Sequence, residues 1–305
     1  MKRKQIKIAG LGTEQSNPAS RDLDLKSSLE IASILNKEDA KVAKAVERAM
    51  PQIARAIDMI ATAFKSGGRL IYVGAGTSGR IAALDATECP PTFNTNPKMV
   101  QFVVAGGPKA LGSAVEANED SRELGQREIA KRKPGKKDVV VGIAASGRTP
   151  FTVAAIEHAR QRGAKTIAVT CNRNSALGKA ANLSIVTEVG PEVIAGSSRM
   201  KAGTAQKMVL NMLSTGAMVR TGRVFGNLMV YVHLKNEKLV ERGIHILQQA
   251  SGANRTKAER ALQSAGSVPI ALIMLQAAVA RPEAAKALFS ANGNVRKAIN
   301  GARSL

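Results

Sequence analysis

Five short apolar runs alternate with stretches of helical spacing, and this alternation limits how the chain can fold. Each run has the length of a strand and is followed by a glycine, proline or polar turn. Such an alternation predicts a mostly parallel sheet covered by helices on both faces. In such sheets, ligands bind at the carboxyl ends of the strands. The predicted strands are Arg69–Val73, Met99–Ala105, Asp138–Ala144, Lys165–Cys171 and Leu183–Val189.

Segments whose apolar residues recur with helical spacing precede and follow the predicted strands. From Leu35 to Phe64, apolar residues recur every three or four positions, with a break near Pro51. A long helix is predicted after Met200, and the C-terminal part of the chain is wholly helical in pattern. We therefore predict an α/β protein with a doubly wound, mostly parallel sheet. The sheet and the N-terminal helices form a domain over residues 1–237, and a helical subdomain spans residues 238–305.

The composition favours a cytoplasmic globular protein. The N-terminus is basic but carries neither a long apolar segment nor a small-residue cleavage site. No apolar run approaches the length of a membrane span. The two cysteines, Cys89 and Cys171, have no metal-ligand partners at useful spacing. We therefore expect a reducing compartment, no membrane association and no metal.

The strong positive charge is unusual, at +22 from 45 Lys and Arg against 23 Asp and Glu. Nucleic-acid binding would explain it, because phosphate contacts by Lys and Arg dominate that affinity. However, the densest basic cluster, Lys131–Lys137, lies in a Pro-Gly turn without neighbouring aromatic side chains for base stacking. We therefore predict a solvated basic surface and no specific nucleic-acid site.

The first predicted strand runs into a glycine-rich turn, Gly74-x-Gly76-x-x-Gly79, that precedes a helix. Such turns hold an anion, which can be a dinucleotide, a nucleotide or a small phosphorylated metabolite. A dinucleotide site needs a carboxylate at the end of the second strand, where this chain has Gly106-Gly107-Pro108. The Walker pattern is absent too, because no Gly-Lys-Ser/Thr step follows the glycines. A phosphorylated metabolite is therefore favoured, and no cofactor is expected.

A second loop of the same kind follows the third predicted strand, and both loops contain a Ser-Gly-Arg step. Hydroxyl and backbone N–H groups at helix N-termini suit a terminal phosphate, so two neighbouring loops could together hold one sugar phosphate. The alternative is two ordinary strand–helix turns with serine as the N-cap. The candidate binding residues are Gly76, Thr77 and Ser78 in the first loop and Ser146, Gly147 and Thr149 in the second.

Two carboxylates are candidates for chemistry. Glu88 precedes a rigid Pro90-Pro91 step, which predicts that it lies near a helix end. Glu119 follows the second predicted strand. Acidic residues on a helix usually form a solvated face, so spacing alone assigns neither glutamate to catalysis.

Several segments together resemble the N-acetylmuramic acid 6-phosphate etherases. That family is built on the sugar isomerase (SIS) domain, and the glucokinase regulatory proteins are its non-catalytic relatives. The resemblance extends from about Gly12 to the C-terminus, and DATECPPT and the block that begins at Gly190 are its most specific parts. The segments are TEQSNP, VGAGTSGR, DATECPPTF, GIAASGRTP, VGPEVIAGSSRMKAGTAQKMVLNMLST and NLMV.

The resemblance implies cleavage of the lactyl ether of N-acetylmuramic acid 6-phosphate to N-acetylglucosamine 6-phosphate and D-lactate, in cell-wall amino-sugar recycling. Elimination followed by hydration is implied, without metal or cofactor. Glu88 matches the family's general acid, and Glu119 matches its second catalytic carboxylate. This chemistry needs a base for the C2 proton, which is α to the aldehyde of the open-chain sugar, and an acid for the departing oxygen. The sequence does not decide which glutamate has which role.

Further expectations come from the same resemblance. Ser197, Ser198 and Arg199 are candidate substrate-binding residues, although their turn could instead cap the helix that follows. A homodimer is expected, because many SIS domains complete their sites with residues from a partner. Two other functions remain open: a non-catalytic sugar-phosphate sensor, and an aldose–ketose sugar-phosphate isomerase that would release no lactate.

Overall fold

A computed structural model describes residues 12–113 and 118–303 and confirms the predicted α/β class. Five parallel strands form one sheet in the order β2-β1-β3-β4-β5. Each strand overlaps the run that the sequence predicted. The strands are β1 Leu70–Gly74, β2 Val100–Val104, β3 Val139–Ile143, β4 Lys165–Thr170 and β5 Leu183–Val186.

Among the described residues, two α-helices precede the sheet, four connect its strands and one long helix follows the last strand. They are α1 Ser28–Glu47, α2 Met50–Lys65, α3 Gly76–Phe93, α4 Arg122–Ala130, α5 Pro150–Gln161, α6 Ala176–Ala180 and α7 Lys201–Arg220. The predicted break near Pro51 is confirmed, because α1 ends at Glu47 and α2 starts at Met50. Pro51 lies in the first turn of α2, where its missing N–H removes no helical hydrogen bond.

The chain divides into two compact units. The first comprises the chain up to Ala86 together with Lys98–Ser214, and it contains the sheet. The second comprises Thr87–Pro97 and the chain from Thr215 onward. Its C-terminal part is helical, as predicted, while the predicted boundary at residues 237 and 238 stays a prediction. The helices there are α8 Glu237–Ser251, α9 Arg255–Ala265, α10 Val268–Ala277, α11 Arg281–Ser290 and α12 Val295–Arg303.

The structure shows the surroundings of three sequence features: the two cysteines, the densest basic cluster and the most apolar helices. Both cysteines are buried, and burial raises the pKa of Cys171 to about 12, so that its thiol stays protonated at neutral pH. The five cationic side chains of the cluster Lys131–Lys137 are exposed. Within the described part of the chain, no single helix has the length and apolar character of a membrane span. Helices α10 and α11, bent by 109°, reach that length and composition only as a pair.

Strands β1 and β3 are completely buried, which explains their near-continuous apolar sequence. On one face of the sheet, Ile71 and Val140 share a core cluster with Phe151 and Ile156 of α5. Parallel strands need a helical crossover, and these crossovers bury the sheet from both sides. The sheet is therefore a fixed platform for the loops at its carboxyl edge.

On the opposite face, a buried carboxylate joins the sheet to two helices. The hydroxyl of Tyr72 in β1 donates to Asp85 of α3 at 2.8 Å. Asn211 and Ser214 of α7 donate to the other carboxylate oxygen at 2.7 and 3.0 Å. Burial raises the pKa of Asp85, and these three hydrogen bonds oppose the shift. Asp85 thus fixes α3 and α7 against the same strand.

A buried ion pair joins α1 to the start of α7. The Nζ atom of Lys201 lies 2.5 Å from Oε2 of Glu38, and the two residues are only 1% and 3% exposed. Glu38 also accepts from the Asn17 amide at 2.9 Å and pairs with Lys41. Burial alone would raise the pKa of Glu38, but the hydrogen bonds from Lys201, Lys41 and Asn17 outweigh it and lower the pKa to about 2.

We expect Glu38→Gln to lower the free energy of unfolding at pH 7 by about 3–5 kcal/mol, because Lys201 would keep a buried charge without a counterion. The folded-state pKa of Glu38 is depressed, so the stabilisation is present above about pH 4.5 and is lost as the pH falls toward 2. Urea unfolding of wild type and variant at pH 7 and pH 3 measures both effects, and the difference between them should shrink at pH 3.

The matched control is Glu157→Gln, which removes an ion pair with Arg122 whose side chains are 40% and 53% exposed. We expect it to cost less than about 1 kcal/mol, because solvent screens such pairs. Equal losses for the two variants at pH 7 would contradict the importance of the buried pair.

Candidate functional site

The loops that follow β1 and β3 meet at the carboxyl edge of the sheet, where the strand order reverses. A cavity of about 570 Å³ opens there, which is within the usual range for a small-molecule site. Its lining comes from both loops, the N-terminal segment, the loop before α4 and the turn before α7. The lining residues are Thr13, Glu14, Ala75, Gly76, Thr77, Ser78, Arg80, Ala105, Ala110, Glu119, Asp120, Ala144, Ala145, Ser146, Thr149, Gly196 and Ser198.

Most of the predicted binding residues meet at this cavity. Those that line it are Gly76, Thr77, Ser78, Ser146, Thr149 and Ser198. Gly147, Ser197 and Arg199 belong to the same two turns but are not part of the described lining, and Arg199 is exposed. Residues of the two Ser-Gly-Arg loops therefore line one cavity, while their role in binding stays a prediction.

The first loop leads directly into α3, which begins at Gly76 with a φ of +51°. The first N–H groups of a helix have no acceptor within it and carry the positive end of the helix dipole. This end of α3 faces the cavity through Thr77 and Ser78. The loop can thus hold a compact anion with backbone and hydroxyl donors.

The second loop turns sharply at Gly147, whose φ is +65°. A Cβ on Gly147 would lie 2.4 Å from the Ser175 Cβ and 2.6 Å from the Thr170 Oγ1, so only glycine fits. The Ser146 hydroxyl accepts the N–H of Arg148 at 3.2 Å. An acceptor role toward the protein leaves the Ser146 O–H available to donate to a ligand.

Glu119 connects the two loops. Its backbone carbonyl accepts the N–H of Phe151, in the first turn of α5, at 3.0 Å. Its carboxylate Oε1 lies 2.9 Å from the position that a Cβ on Gly76 would occupy. The carboxylate is therefore in contact with the first loop, and the absence of a side chain at Gly76 makes this approach possible.

Glu88 has a different position. It is an exposed residue of α3, about three helical turns after Gly76, and it is not among the described residues that line the cavity. The helix also continues through Pro90 and Pro91 to Phe93, so it ends later than the Pro-Pro step predicted. The structure thus brings one predicted catalytic glutamate to the cavity of its own chain and leaves the other on the surface.

A buried carboxylate shapes the turn before α7. Glu192, with no exposed surface, accepts the backbone N–H of Lys201 at 3.0 Å and that of Ala202 at 2.8 Å. These are N–H groups that the helix itself cannot satisfy, and a negative charge is favourable at this end of a helix. Glu192 thereby holds the Gly196–Arg199 turn at the edge of the cavity.

Other cavity residues had no role assigned from the sequence. Glu14 lies beside Gly196, where a Cβ would be 3.1 Å from its Oε2. Arg80 donates to a backbone carbonyl at 2.8 Å. Asn172 is not part of the described lining, but it donates to the carbonyl of the lining residue Ala145 at 3.0 Å and so joins the end of β4 to the second loop. The sequence signal that could have found these residues is their position. Glu14 and Arg80 lie in the motif segments, and Asn172 follows a predicted strand.

The charge of the lining suits acid–base chemistry around an anion held by neutral donors. Three carboxylates, Glu14, Glu119 and Asp120, face the cavity with the guanidinium of Arg80. Within residues 12–113 and 118–303, no group of three or more His, Cys, Asp and Glu side chains is placed to hold a metal ion. Hydroxyl and N–H groups of the two loops, together with Arg80, are the candidates in this lining for binding a phosphate.

Comparison with known proteins first gives the class. Residues 52–160 match the glucokinase regulatory protein N-terminal SIS domain, and residues 133–216 match the SIS domain. The fold is also similar to that of a phosphoheptose isomerase from Neisseria gonorrhoeae, with a TM-score of 0.50 and 15% identity, covering 63% of this chain and 100% of that chain. The protein therefore has an SIS-domain fold.

Close sequence relatives then give the family. The chain is 51% identical over 293 residues to an N-acetylmuramic acid 6-phosphate etherase from Pasteurella multocida, covering 96% of this chain and 97% of that protein. It is 48% identical over 295 residues to one from Clostridium botulinum, covering 96% and 98%. The chain belongs to the N-acetylmuramic acid 6-phosphate etherase family.

We expect Gly147→Ala to destabilise the protein more than Gly190→Ala does, as measured by urea unfolding. Both glycines have positive φ, of +65° and +71°, so each substitution carries a backbone cost of about 1–3 kcal/mol. Only at Gly147 would the new Cβ collide with neighbouring atoms, whereas nothing lies within 4 Å of a Cβ on Gly190. Overpacking should add about 1–3 kcal/mol. Equal losses would show that the second loop can relax around a side chain.

Proposed function

We propose that the protein cleaves the D-lactyl ether of N-acetylmuramic acid 6-phosphate to give N-acetylglucosamine 6-phosphate and D-lactate. One observation supports this proposal: the two Ser-Gly-Arg loops and Glu119 line a single cavity in a chain of the etherase family. We further propose that the reaction serves cell-wall amino-sugar recycling in the cytoplasm, without a metal or cofactor.

The substrate's phosphate group supplies the binding anchor. We assign the 6-phosphate and the neighbouring hydroxyls to Ser78, Ser146 and Thr149, which line the cavity at the ends of β1 and β3. The N-terminal end of α3 favours a doubly charged group electrostatically. Ser198 of the turn before α7 also lines the cavity and is assigned to the sugar.

The reaction needs one group that removes a proton and one that donates a proton. We assign Glu119 as the base that removes the C2 proton, which is acidified by the aldehyde of the open-chain sugar. The C3–O bond then breaks as a C2–C3 double bond forms, and we assign Glu88 as the acid that protonates the departing lactyl oxygen. Water adds its hydroxyl to C3 and a proton to C2, which restores a saturated sugar.

The exposed position of Glu88 leads to a proposal about assembly. Leu84, one turn earlier on α3, leaves 53% of its surface exposed, so this face of the helix presents an apolar side chain beside the carboxylate. We propose that the protein is a homodimer in which this face contacts the second copy. In that arrangement, Glu88 of each chain acts in the cavity of the other.

We expect purified wild-type protein to release D-lactate from N-acetylmuramic acid 6-phosphate in the presence of EDTA. Glu88→Gln and Glu119→Gln should each lower kcat by about 10²–10⁴-fold, because an acid or base would be removed from the transition state. A coupled D-lactate assay measures the rates.

Glu123→Gln is the matched control, because it changes an exposed glutamate four residues after Glu119 and should keep wild-type activity. A folded wild type that binds N-acetylglucosamine 6-phosphate but releases no lactate would favour a sensor. A ketose product without lactate would favour an isomerase.

Mixing the two inactive variants tests the shared site. If Glu88 acts in the cavity of the second copy, a heterodimer of Glu88→Gln and Glu119→Gln chains has one site with both native glutamates. After denaturation and refolding of a 1:1 mixture, we expect about one quarter of the wild-type activity, since half of the dimers are mixed and half of their sites are intact. No recovery, with dimers confirmed by light scattering, would place both glutamates in one chain.

A further inference from the structure

A buried glutamine lies directly behind the first loop. Gln206 of α7 is 1% exposed, and its Oε1 accepts the hydroxyl of Ser78 at 3.0 Å. Ser78 is itself only 9% exposed, and it lines the cavity. The Nε2 of Gln206 is also buried and has no hydrogen-bond partner among the described residues. A buried N–H donor without an acceptor is unfavourable and calls for an explanation.

The direction of this hydrogen bond matters for ligand binding. While Ser78 donates to Gln206, its O–H points away from the cavity and only its lone pairs face the ligand. A phosphate dianion offers acceptors only, so it needs a hydroxyl that donates toward the cavity. In this arrangement, therefore, Ser78 itself offers no hydrogen-bond donor to an anion.

A half-turn of the Gln206 amide reverses the hydrogen bond. Nε2 then lies where Oε1 was and donates to Ser78 Oγ, which frees the Ser78 O–H to donate into the cavity. One amide atom lacks a partner in either orientation, so the exchange itself changes the number of hydrogen bonds within the protein very little. A charge-assisted bond from Ser78 to phosphate favours the second orientation.

We propose that Gln206 is a positioning residue that turns Ser78 into a hydrogen-bond donor when a phosphate group occupies the first loop. The inference rests on the proposed function in one respect, the assignment of Ser78 to the 6-phosphate. It adds a residue on α7, 128 positions from Ser78, whose unpaired N–H becomes satisfied only in the ligand-binding arrangement.

A double-mutant cycle tests this coupling. Gln206→Met keeps the length and volume of the side chain but removes both the donor and the acceptor. We expect it to raise the Kd for N-acetylglucosamine 6-phosphate, and the KM of turnover, by about 2- to 5-fold, the cost of ordering the Ser78 side chain that Gln206 no longer holds, with kcat nearly unchanged. Gln206→Asn, whose amide is one methylene too short to reach Ser78, should have the same effect and serves if the Met variant does not fold.

The decisive arm uses Ser78→Ala. If Gln206 acts through Ser78, Gln206→Met in the Ser78→Ala background should cause no further loss of affinity. Losses that multiply in the double variant, or an unchanged Kd in a Gln206 variant that has only a lower melting temperature, would overturn the proposal. Calorimetric titration with N-acetylglucosamine 6-phosphate and with inorganic phosphate needs no turnover, so the result is independent of whether wild type releases lactate.

Discussion

The reversal of strand order between β1 and β3 is the constraint on which the site depends. Adjacent parallel strands whose connections leave in opposite directions open a crevice at their carboxyl ends. Both Ser-Gly-Arg loops begin at this crevice, so their helix N-termini converge on one volume. The remaining features act on this arrangement: Gly147 permits the second turn, and Gly76 admits the carboxylate of Glu119.

Six carboxylates of the first unit fall into two groups by environment. Glu38, Asp85 and Glu192 are buried and fully engaged, and each connects α7 to another part of the fold or caps its first turn. Glu14, Glu119 and Asp120 instead face the cavity. The first group stabilises the packing of α7 and α3, whereas the second group lies in the segments before α1 and α4 that line the cavity.

Much of this architecture was predictable because it depends on local patterns. The strands are apolar runs bounded by turns, and the helix break at Pro51 follows from a missing N–H donor. The meeting of the two loops was predictable as well, because parallel strands bring their carboxyl ends to one edge. The resemblance of short motifs to those of the etherases identified the family, which the spacing of apolar and polar residues alone could not do.

Long-range partners were not predictable in the same way. Gln206 lies inside a helical stripe, and nothing in its spacing distinguishes a glutamine that contacts Ser78 from one that faces solvent. Asn172 and Glu192 gain their roles from backbone groups brought near by tertiary packing. The continuation of α3 through Pro90 and Pro91 shows the same limit, because a local rule predicted an earlier helix end.

The two loops share a Ser-Gly-Arg step but differ in the hydrogen bonds that their serines make. Ser146 accepts a hydrogen bond from its own loop, so its donor is available before any ligand arrives. Ser78 donates to Gln206 of α7, so in our proposal its O–H can donate to a ligand only when the Gln206 amide changes orientation. The second loop is therefore preorganised for an acceptor, whereas the first loop is coupled to α7. Glu119 touches the first loop at Gly76, so the hydrogen-bond change that we propose at Ser78 occurs in the same loop that contacts the carboxylate assigned to proton removal.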